Sequence, residues 1–499
     1  MKAKPLAKMA LLAILVLLLG LKTEPQSVVG LMRQGDACQS RKEYSAAIEA
    51  YQQATTLRPR SAAPHLRIGQ VYLTQRRYEL AGEALGQAYK LGAKREALAG
   101  LGSVYAGLGD EEQAIHCWSQ ALALDPTDTA VRYRLGRLYL ERSDFRNAQR
   151  EFEILIAQDE RNPAAHYQMG LLLAGHDPQQ ATEHLTKAAG DSQKYDFPVR
   201  SGWICNPAVR PPNCKSGRSR SYSFTDAEDM LAALEQVERE ENEARATALL
   251  GVAYLERGEL SLARRQFEGA IRLHPDYAEA YAYLGHVQGQ LGQYEAGWDN
   301  LVKAVTLEPD SVLAHYFLGV TYRSLGMWKA ARTRFWRAVN LDPNNAALCV
   351  DLAQAYLEEP DYVAAEGWFR AAVQREPEDA RFQLILAQFY VDHVYKVEEE
   401  GVPAALRAVE LDAESAAAHD VLGWAYHLTG HWREARTHLQ RALALEPDMA
   451  RAHYHLGAVY TARGDVEVAQ REYQRAIDLD SEGFYRQRAE KALEELNRP

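Results

Sequence analysis
A small residue returns about every 34 positions along most of this chain, and that period limits the available folds more than any other feature. Gly35, Gly69, Gly102, Gly136 and Gly170 are separated by steps of 34, 33, 34 and 34. After a gap come Gly251, Gly285, Gly319, Ala353, Ala387, Gly423 and Gly457, at steps of 34, 34, 34, 34, 36 and 34. Other positions keep the same phase. A Tyr stands three later, as in Tyr72, Tyr139, Tyr254, Tyr322 and Tyr460, and an Ala stands twelve later, as in Ala81, Ala148, Ala263, Ala331 and Ala469. A large apolar residue follows four after that Ala, as in Trp118, Phe152, Phe267 and Phe335. A Pro closes the unit at Pro59, Pro126, Pro275, Pro309, Pro343, Pro377 and Pro447. Spacings of three and four put apolar groups on one helix face, so each unit holds two short helices. Gly109, Gly258, Gly292, Gly326, Gly430 and Gly464 fall between them, where a chain leaving a helix takes a left-handed backbone. One such hairpin cannot bury its own apolar face, so successive units must stack.

This pattern resembles the tetratricopeptide repeat family. The match covers 28–189 as five units and 244–483 as seven, with the clearest copies at Ala278–Ser311, Val312–Asn345 and Ala416–Met449. The resemblance implies an all-α fold, a right-handed superhelical solenoid of stacked antiparallel helix hairpins in two blocks separated by an irregular insert. Three units depart from the period. The one from Ala380 carries two extra residues near His393–Gly401, the one ending at Pro163 carries one, and the one around Gly170 has a shortened turn. Residues 226–243 read as a connecting helix, with Thr225 or Asp226 as its N-cap. Residues 484–499 read as a polar-faced capping helix, which a solenoid end requires.

Two segments lie outside the repeats. At 1–27, Lys2, Lys4 and Lys8 precede an apolar run of 13 residues from Met9 to Leu21. As a helix, that run spans roughly 20 Å, short of the ~30 Å hydrocarbon core. A cationic start before a short apolar run is the layout of an export signal, either cleaved or retained as an anchor, with the repeats on the extracytoplasmic side. The insert at 190–225 is rich in Pro, Gly, Ser and Arg and has no helical period. It carries six Lys/Arg and two Asp in a chain whose net charge is −11, and reads as a basic linker. Cys205 and Cys214 within it are close enough in sequence to bridge, or they stand as two free thiols.

No Walker loop, G-x-S-x-G, H-E-x-x-H or G-x-G-x-x-G occurs in the sequence. Five His (His65, His166, His315, His419, His453) share one position, four before the small residue, and spread along a stack they cannot meet at one metal. The expectation is a chain without catalytic residues, cofactor or metal. Its acidity argues against nucleic acid, and membrane contact is expected only through the N-terminal segment. In the family, peptides lie along the face built by the first helices. Residues three before, one after and four after the small residue form a stripe beside the packed one. That stripe selects Leu66, Gln70, Tyr133, Arg137 and Tyr167 in the first block, and His286, Tyr316, Arg323, Gln354, Gln388, Trp424, His427 and Tyr454 in the second. Aromatics and Arg at such places either anchor a partner or complete packing between repeats. The residue after the small position is never Asn, which disfavours the carboxylate clamp that some family members use for chaperone tails. The reading is a bacterial-type, non-catalytic scaffold for peptide segments or protein partners at the cell envelope. The alternative is an accessory subunit of an envelope enzyme or of a polysaccharide or glycan assembly complex.

Overall fold
The computed structural model describes residues 27–190, 224–480 and 483–496. The segment expected to act as an export signal and nearly all of the basic insert, with Cys205 and Cys214, lie outside the described residues. Among those described there are 26 α-helices, one π-helical turn and no strand. They form two compact units, one gathering the residues up to Leu124 with Gln474–Glu494, the other spanning Asp125–Tyr473.

The first unit contains three hairpins: α1 (Val28–Ser40) with α2 (Tyr44–Leu57), α3 (Ala62–Thr74) with α4 (Tyr78–Lys90), and α5 (Lys94–Leu108) with α6 (Glu111–Leu124). The repeat glycine is explained by what faces it. A Cβ on Gly35 would lie 2.3 Å from the Tyr51 ring, on Gly69 2.6 Å from Leu85, and on Gly102 2.4 Å from Trp118. Each partner stands sixteen residues on. A small residue in the first helix and a large one in the second are therefore a single packing device. The phased alanines Ala47, Ala54, Ala81, Ala88, Ala114 and Ala121 are fully buried beside it. Residues near the end of the chain belong to this unit as well. Buried Asp478 accepts hydrogen bonds from the Ser45 amide (3.0 Å) and hydroxyl (2.5 Å), and so caps α2 from 433 residues away. Arg475 donates to the carbonyls of Arg41 and Lys42, both at 2.9 Å.

The second unit continues the scheme with α7 (Thr129–Glu141) and α8 (Phe145–Gln158), then α9 (Pro163–Leu173) and α10 (Pro178–Gly190). After the insert come α11 (Phe224–Glu238), α12 (Glu243–Glu256) with α13 (Leu260–Leu273), α14 (Ala278–Gln290) with α15 (Tyr294–Leu307), and α16 (Val312–Ser324) with α17 (Trp328–Leu341). The remaining helices are α18 (Ala346–Leu357), α19 (Tyr362–Arg375), α20 (Ala380–Asp392), α21 (Val402–Leu411), α22 (Ala416–Leu428), α23 (Trp432–Leu445), α24 (Ala450–Arg463), α25 (Val466–Leu479) and α26 (Phe484–Leu496).

The helix read at 226–243 starts earlier, at Phe224, and stops at Glu238. Asn242 then caps α12 by accepting from the Arg245 amide. Helix α11 packs between α10 and α12, and the Tyr254 hydroxyl reaches back to the Leu171 carbonyl at 2.6 Å, so hairpins from either side of the insert share one core. At Gly170 the facing residue is Leu185, fifteen on rather than sixteen, which places the missing residue in the α9–α10 turn. The two extra residues after α20 are taken up by a π-helical turn, Val397–Gly401, entered through Val394 and Lys396 at φ +48° and +46°. Buried Glu366 holds this turn, accepting from Lys396 Nζ (2.7 Å), the Tyr390 hydroxyl (2.9 Å) and Arg370 Nε (3.1 Å).

Candidate functional site
The first-helix stripe of the second unit comes together most densely at α22 and α24. The Trp424 ring lies between two imidazoles, His427 at 4.6 Å and 14° and His455 at 4.2 Å and 10°. Tyr454 stands 6.4 Å away. His455 in turn places Nδ1 2.9 Å from Asp420 Oδ1, and Arg451 Nε lies 2.6 Å from Oδ2. Asp420 is completely buried. Burial alone would raise its carboxyl, but Arg451 and His455 outweigh it and hold the group below the ordinary carboxylate range. Asp392, at the end of α20, goes the other way, raised chiefly by burial. Trp424, His427 and Tyr454 are therefore one cluster, supported from behind by an ion pair between consecutive hairpins.

The other selected residues divide by what they touch. Arg323 Nη1 reaches Asp351 Oδ1 at 2.9 Å and Gln354 Oε1 at 3.3 Å, joining α16 to α18. His286 lies flat on Phe317 at 4.1 Å and 9°, and its Nε2 faces Gln290 Nε2 at 2.8 Å. Burial depresses His286 to about 4. Gln388 is partly buried on α20. Tyr133, Tyr167 and Tyr316 are buried, at 5–6% exposure, and do not present a surface. The reason is visible at three hairpins. The Tyr three before the small residue packs on the large aromatic sixteen after it: Tyr133 on Phe152 (6.0 Å), Tyr316 on Phe335 (6.0 Å) and Tyr454 on Tyr473 (5.7 Å). At Tyr133 and Tyr316 the ring fills a hairpin interior instead of the open face, while Tyr454 stays partly exposed beside Trp424. In the first unit, Leu66 packs against the Ala81–Leu85 core, and exposed Gln70 accepts from Arg67.

Arg137 is also committed within the chain. Its Nη1 lies 2.6 Å from Glu259 Oε1 and 3.0 Å from Gln168 Oε1. Nearby, the Ser261 hydroxyl donates to the Glu141 carbonyl (2.7 Å) and Arg264 to the Ser143 hydroxyl (2.9 Å). These contacts join the α7–α8 hairpin directly to α13, passing over the shortened α9–α10 turn. A Cβ on Gly175 in that turn would meet the Gln266 amide at 2.3 Å. Loss of one residue there lets the two flanking hairpins meet.

Sequence reasoning missed Asp420, Arg451, His455, Asp351, Phe317 and Glu259. Asp420 does sit three before Gly423, on the stripe, but as a lone acid it carried no signal without Arg451 from the next hairpin. Among the described residues, no three or more His, Cys, Asp or Glu side chains converge as a metal site. Cys38, Cys117 and Cys349 are buried thiols, each raised chiefly by burial. No described helix is long and apolar enough to cross a membrane.

Five family models, described as TPR repeat or tetratricopeptide repeat, match at 35–75, 95–128, 133–190, 251–292, 323–389, 423–464 and 450–482, together more than half of the chain. No curated protein matches. Solved structures do. The crystal structure of yeast Tom70 aligns over 94% of this chain and 95% of its own, at 17% identity and a TM-score of 0.41. A thermophilic tetratricopeptide repeat protein of Thermus thermophilus aligns over 37% of this chain and 99% of its own, at 25% identity and a TM-score of 0.32. YrrB, titled as having an unusual peptide-binding site, aligns over 38% and 97% respectively, at 21% identity and a TM-score of 0.30. The phased packing and the matched segments together show that this chain belongs to the tetratricopeptide repeat family.

Proposed function
We propose that this chain is a non-catalytic scaffold that holds peptide segments of protein partners on its first-helix face, with Trp424 at the centre of the site. One observation carries the reading. Trp424, His427, His455 and Tyr454 form a pre-packed aromatic group assembled from two consecutive hairpins. Its rigidity lowers the ordering cost of binding. Both faces of the indole are covered, so the ring offers its edge to a partner. Gln388 and Gln354, on the preceding first helices, supply neutral amides that suit an extended backbone. The N-terminal Lys residues and the Met9–Leu21 run support an exported or anchored chain with its repeats outside the cytoplasm.

The test is in-cell crosslinking of the intact chain beside the Trp424→Ala/Tyr454→Ala double variant and the milder Gln388→Ala/Gln354→Ala variant. Captured partners are read by mass spectrometry. A partner held by the intact chain, lost by the first variant and weakened by the second is the expected result. The same partners from all three, with helix content unchanged, would move the site off this face. Recovery of the uncleaved N-terminal peptide in the cytosolic fraction alone would refute export.

A further inference from the structure
One hydrogen bond recurs at the shared histidine position. Nε2 of His166, His315, His419 and His453 lies 2.9, 3.0, 3.2 and 3.0 Å from the carbonyl six residues earlier, on Glu160, Pro309, Ala413 and Pro447. A carbonyl only accepts, so Nε2 carries a proton in all four. Nδ1 then faces the second helix of the same hairpin, and the group it meets there decides how the contact answers to acid. For His453 that group is Glu472, at 2.7 Å. An ionised carboxylate only accepts, so this contact is complete when Nδ1 carries a proton as well. For His315 it is Arg334 Nη1 at 3.5 Å, a donor, so this contact needs Nδ1 bare. In the other two hairpins it is a second imidazole. His166 Nδ1 lies 2.8 Å from His184 Nδ1 and His419 Nδ1 lies 3.0 Å from His438 Nδ1, with ring centroids 5.0 and 5.3 Å apart. Each pair therefore meets end to end around one N–H···N bond. Because Nε2–H of His166 and His419 is held by a carbonyl, the shared proton is donated by His184 and by His438.

We propose that the His166/His184 and His419/His438 pairs are acid-released latches. They hold the α9–α10 and α22–α23 hairpins closed near neutral pH and loosen them as pH falls, whereas the His453/Glu472 contact of the α24–α25 hairpin is kept. Counting protons gives the sign. A closed pair has room for one added proton, on Nε2 of His184 or His438, where the N–H···N bond survives. A second has to go on Nδ1 of His166 or His419, the atom that accepts that bond, and would set two cationic N–H groups against each other at 2.8 and 3.0 Å. In an opened hairpin both rings take protons near the ordinary ~6.5. Burial first, and the partner imidazole next, depress His184 and His438. Stability held by groups depressed on closing is intact above about pH 6.5 and is lost as the pH falls below it. Among the described residues, the other charges acting on these rings sit on the same second helices. Glu183 and Lys187, paired with each other at 2.6 Å, act on His184, and Glu434 acts on His438, whose ring also lies 5.7 Å from Tyr426 on α22. His184 and His438 are partly exposed, so protons reach them from solvent. Trp424 stands on α22, so acid would loosen one of the two hairpins that assemble its cluster. That consequence rests on the function proposed above; the latches themselves do not.

The test is amide hydrogen exchange of the full chain, without any partner, at steps from about pH 7.5 to about pH 5, read by mass spectrometry as protection relative to intrinsic exchange at each pH. A latch that binds one proton fewer than its opened hairpin loses closure by about tenfold per pH unit below about 6.5. Protection of α9–α10 and α22–α23 should therefore fall by roughly tenfold or more across that range. Positions 438 and 472 are 34 residues apart and equivalent in the repeat, so the two kinds of latch can be exchanged. His184→Glu should remove the fall in α9–α10. His438→Glu should remove most of that in α22–α23, where His427, depressed chiefly by burial, also titrates. Glu472→His should create a matching fall in α24–α25. No fall in the parent chain, or a fall that persists at full size in both Glu variants, would overturn the proposal. If the Glu variants lose helix content at neutral pH, Glu472→His decides instead, and an unchanged α24–α25 profile overturns it.

Discussion
One substitution separates packing from helix propensity in this fold. In the α14–α15 hairpin, Gly285 and Gly297 face each other. A Cβ on Gly285 would lie 2.5 Å from the Gly297 carbonyl oxygen and 2.7 Å from Leu301 Cγ. Carbon–carbon contact needs about 3.5 Å, so Gly285→Ala must push the helices apart by roughly 0.8 Å. Overpacking of that kind costs about 1–3 kcal/mol. The intrinsic effect of Gly→Ala inside a helix has the opposite sign, a gain of about 0.5–1 kcal/mol. Gly367 in α19 supplies the control, since a Cβ there meets nothing within 4 Å and the site is exposed. Gly367→Ala should therefore stabilise while Gly285→Ala destabilises, leaving a gap of roughly 2–3 kcal/mol between chemically identical changes. A repeat array need not unfold in one step, so local protection is the better readout. Amide hydrogen exchange should quicken in α14 and α15 for Gly285→Ala and slow in α19 for Gly367→Ala. Unchanged or slower exchange in α14–α15 would refute the close-crossing argument.

Three further outcomes follow from the same geometry. Ala338→Trp enlarges a fully buried position of α17 and should cost about 1–3 kcal/mol or more, seen as a lower melting temperature; unchanged melting would refute the repeat phase. His286 is depressed to about 4 by burial, below the ~6.5 of an unfolded chain, so folding opposes its protonation. Its contribution to stability is intact above pH 6.5 and is lost as pH falls from about 6.5 to about 4, by up to roughly 3 kcal/mol, and His286→Gln should flatten that part of the urea-midpoint profile. Glu259→Gln leaves Arg137 nearly buried without its counter-charge and should cost about 3 kcal/mol, whereas Arg137→Met/Glu259→Met should recover much of it in a double-mutant cycle.

The pairing of helices was legible because it rests on local spacing. A small residue, an alanine twelve later and a large residue four after that define one hairpin wherever they recur, and even the shortened unit shows itself by Leu185 arriving one place early. The stripe beside the packed face was legible only in part. Positions three before and one after the small residue are both its neighbours on a helical wheel, and periodicity does not say which of them turns inward. Tyr133 and Tyr316 turn inward because their own hairpin offers Phe152 and Phe335 to pack on. Trp424 finds its support in His455, on the first helix of the next hairpin. The contact of Arg137 with Glu259 skips a whole repeat and depends on a turn being one residue short. Asp478 over Ser45 joins residues from the two ends of the repeat array. Neither has a local signature, since long-range polar pairs are specified by the assembled backbone.

The charges on the first-helix face have a consequence for what it can recognise. Arg323 is spent on Asp351, Arg451 on Asp420 and Arg137 on Glu259, with separations of 2.6–2.9 Å and acidic partners that are buried or nearly so. Pairs this well buried are little screened by salt and present little net field to a ligand outside. What remains for a partner is the edge of Trp424, the amides of Gln354 and Gln388 and the imidazole of His427. Such a surface gains affinity from apolar contact and neutral hydrogen bonds, and it does not steer an approaching charge. Its partner should be an uncharged, extended segment with one apolar side chain placed to meet the Trp424 cluster. Association should then change by less than about threefold between about 50 and 500 mM salt, where a charge-steered encounter would slow roughly tenfold or more. A steep salt dependence for a partner that still requires Trp424 would mean that charges elsewhere on the chain guide it in and that the first-helix face supplies only the final grip.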